Sequence, residues 1–145
     1  MSTPRIVVTG IGASTPLGGT APETWSALLQ GVSGTHALEY DWVEKYQLPV
    51  KLAAEALVQP NTVLERPVAN RLDPSAQFAL VAAKEAWEDA GAPDVEPERF
   101  AVDFATGIGG LQTTLNGWDV LKEKGPRRIM PMSIPMLMPN APSAA

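Results

Sequence analysis

With 145 residues, 45% of them hydrophobic, and a formal net charge of -5, the chain has material for one globular domain or part of a larger one. That charge balance draws it toward neither nucleic acid nor an anionic membrane surface, so any site for a charged partner must be local. There is no cysteine, which excludes disulfides, thiolate metal sites and a cysteine nucleophile within these residues.

The N-terminal MSTPRIVVTG has no apolar run behind a basic start, and no stretch approaches the roughly 18 apolar residues of a membrane span. A cytoplasmic location is expected. Residues 5–9 are a short β-branched run ending in glycines, which predicts a buried strand entering a loop. Thr20 precedes Glu23 at capping-box spacing with Pro22 in the first turn, so a helix should start there. Its stripe of Trp25, Leu28, Leu29 and Val32 predicts packing on a sheet, and Gly31 to Gly34 holds the stop. In the less legible 35–72 region, Trp42, Tyr46 and Leu48 suggest a packed excursion and residues 50–56 a short strand.

Asp73-Pro74 predicts an N-cap and first-turn proline for a helix over 74–90. Apolar or alanine positions at 76, 79, 80, 83, 86, 87 and 90, widened by Phe78, Val81 and Ala82, would bury most of its circumference. Gln77, Lys84, Glu85, Glu88 and Asp89 read as solvated, and Gly91 and Pro93 end the helix. Residues 100–106 predict a second strand, running into Gly107-Ile108-Gly109-Gly110. Strand, helix, helix, strand implies an α/β protein with partly parallel pairing.

Thr-Gly-Ile-Gly occurs at 9–12 and again at 106–109. Tight turns with close packing are one reading and a phosphate-cradling loop is the other. The spacing is against the second. The dinucleotide fingerprint needs glycine where Thr15 or Gln112 stands, and the short-chain dehydrogenase pattern needs it at Ser14. Residues 125–140, GPRRIMPMSIPMLMPN, then place four methionines and four prolines around Arg127 and Arg128. Methionine is unbranched and adaptable, while the recurring Pro131, Pro135 and Pro139 disfavour a regular helix.

Taken in order, Val7-Val8-Thr9-Gly10-Ile11-Gly12, Thr15-Pro16-Leu17-Gly18-Gly19, the Thr24-Trp25 to Ser33-Gly34 pattern, Thr106 to Gly110 and Gly125-Pro126-Arg127-Arg128 resemble the start of an elongating β-ketoacyl-acyl carrier protein synthase. The PMLMPN segment looks like its actinobacterial, long-acyl branch. The resemblance covers essentially the whole chain but only about the first third of such an enzyme. It implies an incomplete N-terminal half of a thiolase-type fold, an α/β class with a helix-flanked mixed sheet, and a homodimer in the full-length enzyme.

The activity implied is decarboxylative condensation of an acyl thioester with malonyl-acyl carrier protein in fatty acid, or mycolic acid, synthesis. That chemistry uses a cysteine nucleophile, two histidines and a lysine, which in the family lie beyond residue 145. The expectation is therefore a truncated β-ketoacyl synthase N-terminal domain over 1–145, inactive alone, with no catalytic residue of its own, no metal and no cofactor. His36 reads as a surface or packing histidine.

For substrate binding the resemblance points to Gly107 and Ile108 at the gate of an acyl tunnel, with Met132, Ser133 and Met138 along its wall. Family members often have aromatic residues where Met132 and Ser133 stand, which implies a wider pocket. For an acidic acyl carrier protein it points to Arg127 and Arg128, with Arg66 and Arg71 before the long helix and Glu65 weakening that patch. Two alternatives stay open: a non-catalytic acyl or carrier-protein binding partner of the chain-length-factor kind, and a polyketide ketosynthase. An Ala-Cys-Ala or Ala-Cys-Thr motif downstream would separate the enzyme from the binding partner. Neither nucleic acid nor membrane is implied as a partner.

Overall fold

The computed structural model describes Thr3 and residues 5–145, in two compact units. One comprises residues 13–59; the other combines the N-terminal residues up to Gly12 with residues 60–145.

In the 13–59 unit, Thr15 bridges Gly18 across a tight turn, and α1 (Ala21–Leu29) follows. Thr20 caps this helix, its Oγ1 accepting from the Glu23 N–H at 3.3 Å, while the Glu23 carboxylate accepts from the Gly19 N–H at 2.9 Å. The helix ends in a Schellman motif. Gly31 adopts φ +69° and donates to Leu28, and the Val32 N–H reaches back to the Ala27 carbonyl. Its cap and stop were legible, but its packing was not: no residue of α1 is buried, and Trp25, Leu28 and Leu29 stay more than half exposed.

The expected strand at 50–56 contracts to β2 (Leu52–Ala53), paired antiparallel with β1 (His36–Ala37). Between them, α2 (Asp41–Lys45) buries Val43. Trp42 and Tyr46, expected inside, are exposed, and Trp42 stacks on Tyr40 at 5.3 Å.

In the second unit, residues 5–9 and 100–106 form no strand, contrary to the sequence expectation. Strand residues need a ladder partner for their backbone groups, and the described residues supply none here. Ile6 and Val8 are 95% and 81% exposed. The second segment is held by a side chain instead: Ser143 Oγ accepts from the Phe104 N–H at 3.0 Å and donates to the Phe104 carbonyl at 3.2 Å.

The centre of this unit is α4 (Pro74–Asp89), preceded by the short α3 (Arg66–Ala69). Only Ala76, Gln77 and Ala79 are buried on α4, a narrower face than the periodicity implied. Gln77, expected in solvent, is inside because its amide donates to the Ala69 and Leu72 carbonyls at 2.9 and 3.0 Å, tying down the end of α3. A second Schellman motif at Gly91 ends α4 where the sequence indicated. Gly10 and Gly12 lie against α4 so closely that a Cβ would collide with the carbonyls of Ala86 and Ala82.

Helix α5 (Leu111–Lys124) stands where the sequence pattern predicts no element. It carries Lys122 and Lys124 in its last turn, where they complement the helix dipole, and it ends at Gly125 with φ +78°. The chain then makes a 3-10 turn over Pro126–Arg128 and enters α6 (Ser133–Leu137). Pro135 was expected to keep this segment out of helix. It sits instead in the first turn, where its missing N–H would have no intrahelical partner anyway. Among the described residues, no helix is long and apolar enough to cross a membrane.

Candidate functional site

The candidate site lies in the second unit, where α5 faces the arginine and methionine segment. Its position is fixed first by Asp73, which is 2% exposed and serves two helices. One carboxylate oxygen accepts from the Ser75 N–H and hydroxyl at 3.0 and 2.9 Å, capping α4. The other accepts from the Thr113 N–H and hydroxyl at 2.9 and 2.7 Å, capping α5 at its third residue. Burial pushes the Asp73 carboxyl up, but the four hydrogen bonds from Thr113 and Ser75 outweigh it and hold the group below the usual carboxylate range.

Gly109, the last residue of the second Thr-Gly-Ile-Gly, and Gly110 after it provide the next constraint. Gly109 adopts φ +72°, its N–H bound to Thr106 Oγ1 at 2.8 Å, and the Gly110 N–H donates to the Leu137 carbonyl at 3.1 Å. A Cβ on Gly110 would collide with the Met136 carbonyl and meet the Asp73 carboxyl carbon at 3.1 Å. Gly109 and Gly110 serve close backbone approach, whereas a Cβ on Gly107 would meet nothing within 4 Å.

The result is a groove of about 210 Å³. One wall is a face of α5 made by Thr113, Asn116, Gly117 and Val120, spaced at helical intervals. The other comprises Arg128, Ile129, Met130, Ser133 and Met136. Two of the sequence-derived site residues, Ser133 and Arg128, line this groove.

Gly107, Ile108, Met132 and Met138 are not part of that lining, although residues 109–110 touch the backbone of 136–139. Ile108 is 70% exposed, and Met132 and Met138 are also exposed. Arg127 and Arg128 are exposed in the 3-10 turn after α5, and Arg66 and Arg71 are exposed at either end of the α3 segment. Thr113, Asn116, Gly117 and Val120 escaped the sequence reading because α5 itself was unassigned. Met130 and Met136 lay in a segment already notable for its composition.

A second, more open depression, about 410 Å³, belongs to the 13–59 unit. There Glu55 accepts from Tyr40 OH at 2.8 Å and meets His36 Nε2 at 3.1 Å. The Tyr40 bond, and then that of His36, holds the Glu55 carboxyl low, while Glu55 pushes the Tyr40 hydroxyl up. His36 is half exposed, in keeping with a surface role.

Residues 3–145 match the family described as Beta-ketoacyl synthase, N-terminal domain. The chain belongs to the β-ketoacyl synthases, a family of acyltransferases with the thiolase-type fold. It is 32% identical to 3-oxoacyl-[acyl-carrier-protein] synthase 2 of Mycobacterium tuberculosis strain H37Rv, over 98% of this chain and 34% of the relative. It is 37% identical to the synthase of the same name from Staphylococcus aureus strain N315, over 94% of this chain and 33% of the relative. The chain thus spans about a third of the length of the curated relatives it matches.

Among solved structures, a β-ketoacyl synthase from Burkholderia phymatum superposes with a TM-score of 0.73 at 24% identity, covering 95% of this chain and 35% of that one. A type II polyketide acyl-carrier protein in complex with its ketosynthase, AntDE:AntF, gives 0.67 at 19% identity, over 95% and 36% of the two chains. In both comparisons this chain aligns with about a third of the longer one.

Proposed function

We propose that this chain is the N-terminal portion of a 3-oxoacyl-acyl carrier protein synthase of fatty acid biosynthesis. The observation that carries the reading is a family match over residues 3–145, against relatives about three times as long. In the reaction, an acyl group moves from a carrier thioester to an enzyme thiol. The malonyl carboxylate leaves as carbon dioxide, and the resulting carbanion attacks the acyl thioester carbonyl, expelling the thiolate. With no cysteine, the chain supplies no nucleophile for this sequence. The thiol, the oxyanion donors and the strand partners of residues 5–9 and 100–106 belong to further polypeptide, and the assembled enzyme is a homodimer in the cytoplasm.

The part assigned to these residues is acceptance of the acyl chain and its carrier. Gly107, Ile108, Met132, Ser133 and Met138 contact the acyl chain, and exposed methionines suit an apolar ligand of variable length. Arg127, Arg128, Arg66 and Arg71 receive an acidic acyl carrier protein. Among the described residues none of the four is in an ion pair, so each is free to meet a carboxylate.

The test is to assay the full gene product for 3-oxoacyl-carrier protein and carbon dioxide, with Arg127 and Arg128 both reversed to glutamate in a second preparation. The reversal should raise KM for acyl-carrier protein roughly tenfold at low salt and less at high salt, with kcat little changed. An unchanged KM at low salt would remove the docking assignment. Acyl-carrier binding without any condensation would favour the non-catalytic partner.

A further inference from the structure

We propose that Gln77 is a positioning residue for carrier docking: its buried amide holds residues 66–72 in the shape that presents Arg66 and Arg71 together. This rests on the docking reading above and adds the residue through which that patch is set. Helix α3 (Arg66–Ala69) has only four residues, and helices far longer than this are marginal in water on their own. The winding continues past it, with the Arg71 N–H on the Val68 carbonyl at 3.0 Å and the Leu72 N–H on the Ala69 carbonyl at 3.2 Å. Turns of this kind are held by local bonds that water can replace, so a fixed shape needs an anchor outside the segment.

Gln77 supplies that anchor from the first turn of α4, where it is 8% exposed. Its Nε2 donates to the carbonyls of Ala69 and Leu72 at 2.9 and 3.0 Å, so both amide hydrogens are spent on the two carbonyls that bracket Asn70 and Arg71. Arg66 stands three residues before Ala69, the buried residue of α3. The other end of the tie is a 16-residue helix whose start is fixed by the Asp73 cap. The segment that carries both arginines is thus fastened to rigid structure by one side chain. Both arginines are exposed and, among the described residues, in no ion pair. An acidic partner gains from two cations at once when their spacing is set in advance, because a loose segment would have to be ordered at the encounter. A glutamate at this position would set oxygen against oxygen, since a carboxylate has no N–H to give.

The experiment compares, in the full gene product, the KM for an acyl-carrier protein with that for the same acyl group on pantetheine, with malonyl-pantetheine as the second substrate throughout. The variants are Gln77→Met, which keeps the length and removes the donors, the pair Arg66→Ala and Arg71→Ala, and all three together. Gln77→Met should raise the carrier-protein KM roughly fivefold at low salt, leave kcat and the pantetheine KM unchanged, and add nothing to the effect of the arginine pair. An unchanged carrier-protein KM, an equal rise for both substrates, a fall in kcat, or additive effects in the triple variant would overturn the positioning role and leave the docking reading intact. If the arginine pair alone leaves the carrier-protein KM unchanged at low salt, docking at these two residues falls and this inference falls with it. Should Gln77→Met melt below the assay temperature, Gln77→Asn decides the same comparison, because its shorter amide keeps the polar group and cannot span both carbonyls.

Discussion

Replacing Asp73 by alanine removes one carboxylate and with it four hydrogen bonds, two at the start of α4 and two at the start of α5. Loss of an N-cap costs about 1 kcal/mol per helix. Thr113 is only 8% exposed, so its stranded N–H and hydroxyl add roughly 1–3 kcal/mol. The sum is roughly 3–5 kcal/mol, and at roughly 2–4 °C per kcal/mol for a domain of 150–250 residues the midpoint falls by about 6–20 °C.

The Asp73→Asn change would keep the shape but turn an amide toward one of the two donor pairs, so it should lose part of the same stability. The acid limb gives a second reading. Because the folded Asp73 carboxyl lies below the ordinary range, its contribution is fully present above about pH 4 and is lost as pH falls through the lower folded value. Asp73→Asn should therefore flatten the fall in stability on acidification. Thermal melts of the full gene product from neutral pH downward read both effects. A midpoint shift under about 2 °C in Asp73→Ala, with an unchanged acid limb, would refute the double-cap argument.

Gly12→Ala places a Cβ against the Ala82 carbonyl and 2.7 Å from the Ala86 nitrogen, and overpacking of this kind costs about 1–3 kcal/mol. A wild-type urea midpoint in that variant would show that the loop can withdraw freely from α4. The 145-residue chain alone, with Ile6, Val7, Val8 and Trp25 more than 60% exposed, should bind a hydrophobic dye and self-associate. A cooperative thermal transition from a soluble monomer by sedimentation would contradict that expectation.

Local signals were legible wherever one or two residues decide the outcome. Thr20 with Glu23, Asp73 with Pro74, and the glycines at 31 and 91 placed both ends of α1 and α4 correctly because capping is an interaction within a single turn. Residues 5–9 and 100–106 form no strand in this structure for the opposite reason. β-branched composition gives a segment the capacity to pair, but a ladder exists only where another segment supplies the hydrogen bonds. Helix α5 was missed since Thr113, Thr114, Asn116 and Gly117 weaken its helical pattern; its start depends on Asp73, 40 residues earlier. Gln77 looked solvated by residue type, and only the open carbonyls of Ala69 and Leu72 explain its burial. Of the candidate site, Ser133 and Arg128 were reached through the family resemblance, whereas the α5 wall could not be seen without the helix.

The groove's geometry comes from contacts confined to the second unit. Asp73 fixes where α5 begins, Gly125 at φ +78° fixes where it ends and turns the chain into Pro126–Arg128, and Gly109 and Gly110 let the 136–139 backbone close against the start of the helix. None of these constraints involves residues 5–9, and residues 100–106 enter only through Thr106, which holds the Gly109 N–H. Pairing the remainder of 100–106 into a larger sheet can therefore bury Phe100 and Val102 without altering the spacing of Thr113, Gly117 and Val120 along the wall. The wall is therefore set by helix geometry and one buried carboxylate, independently of the strand pairing of 100–106.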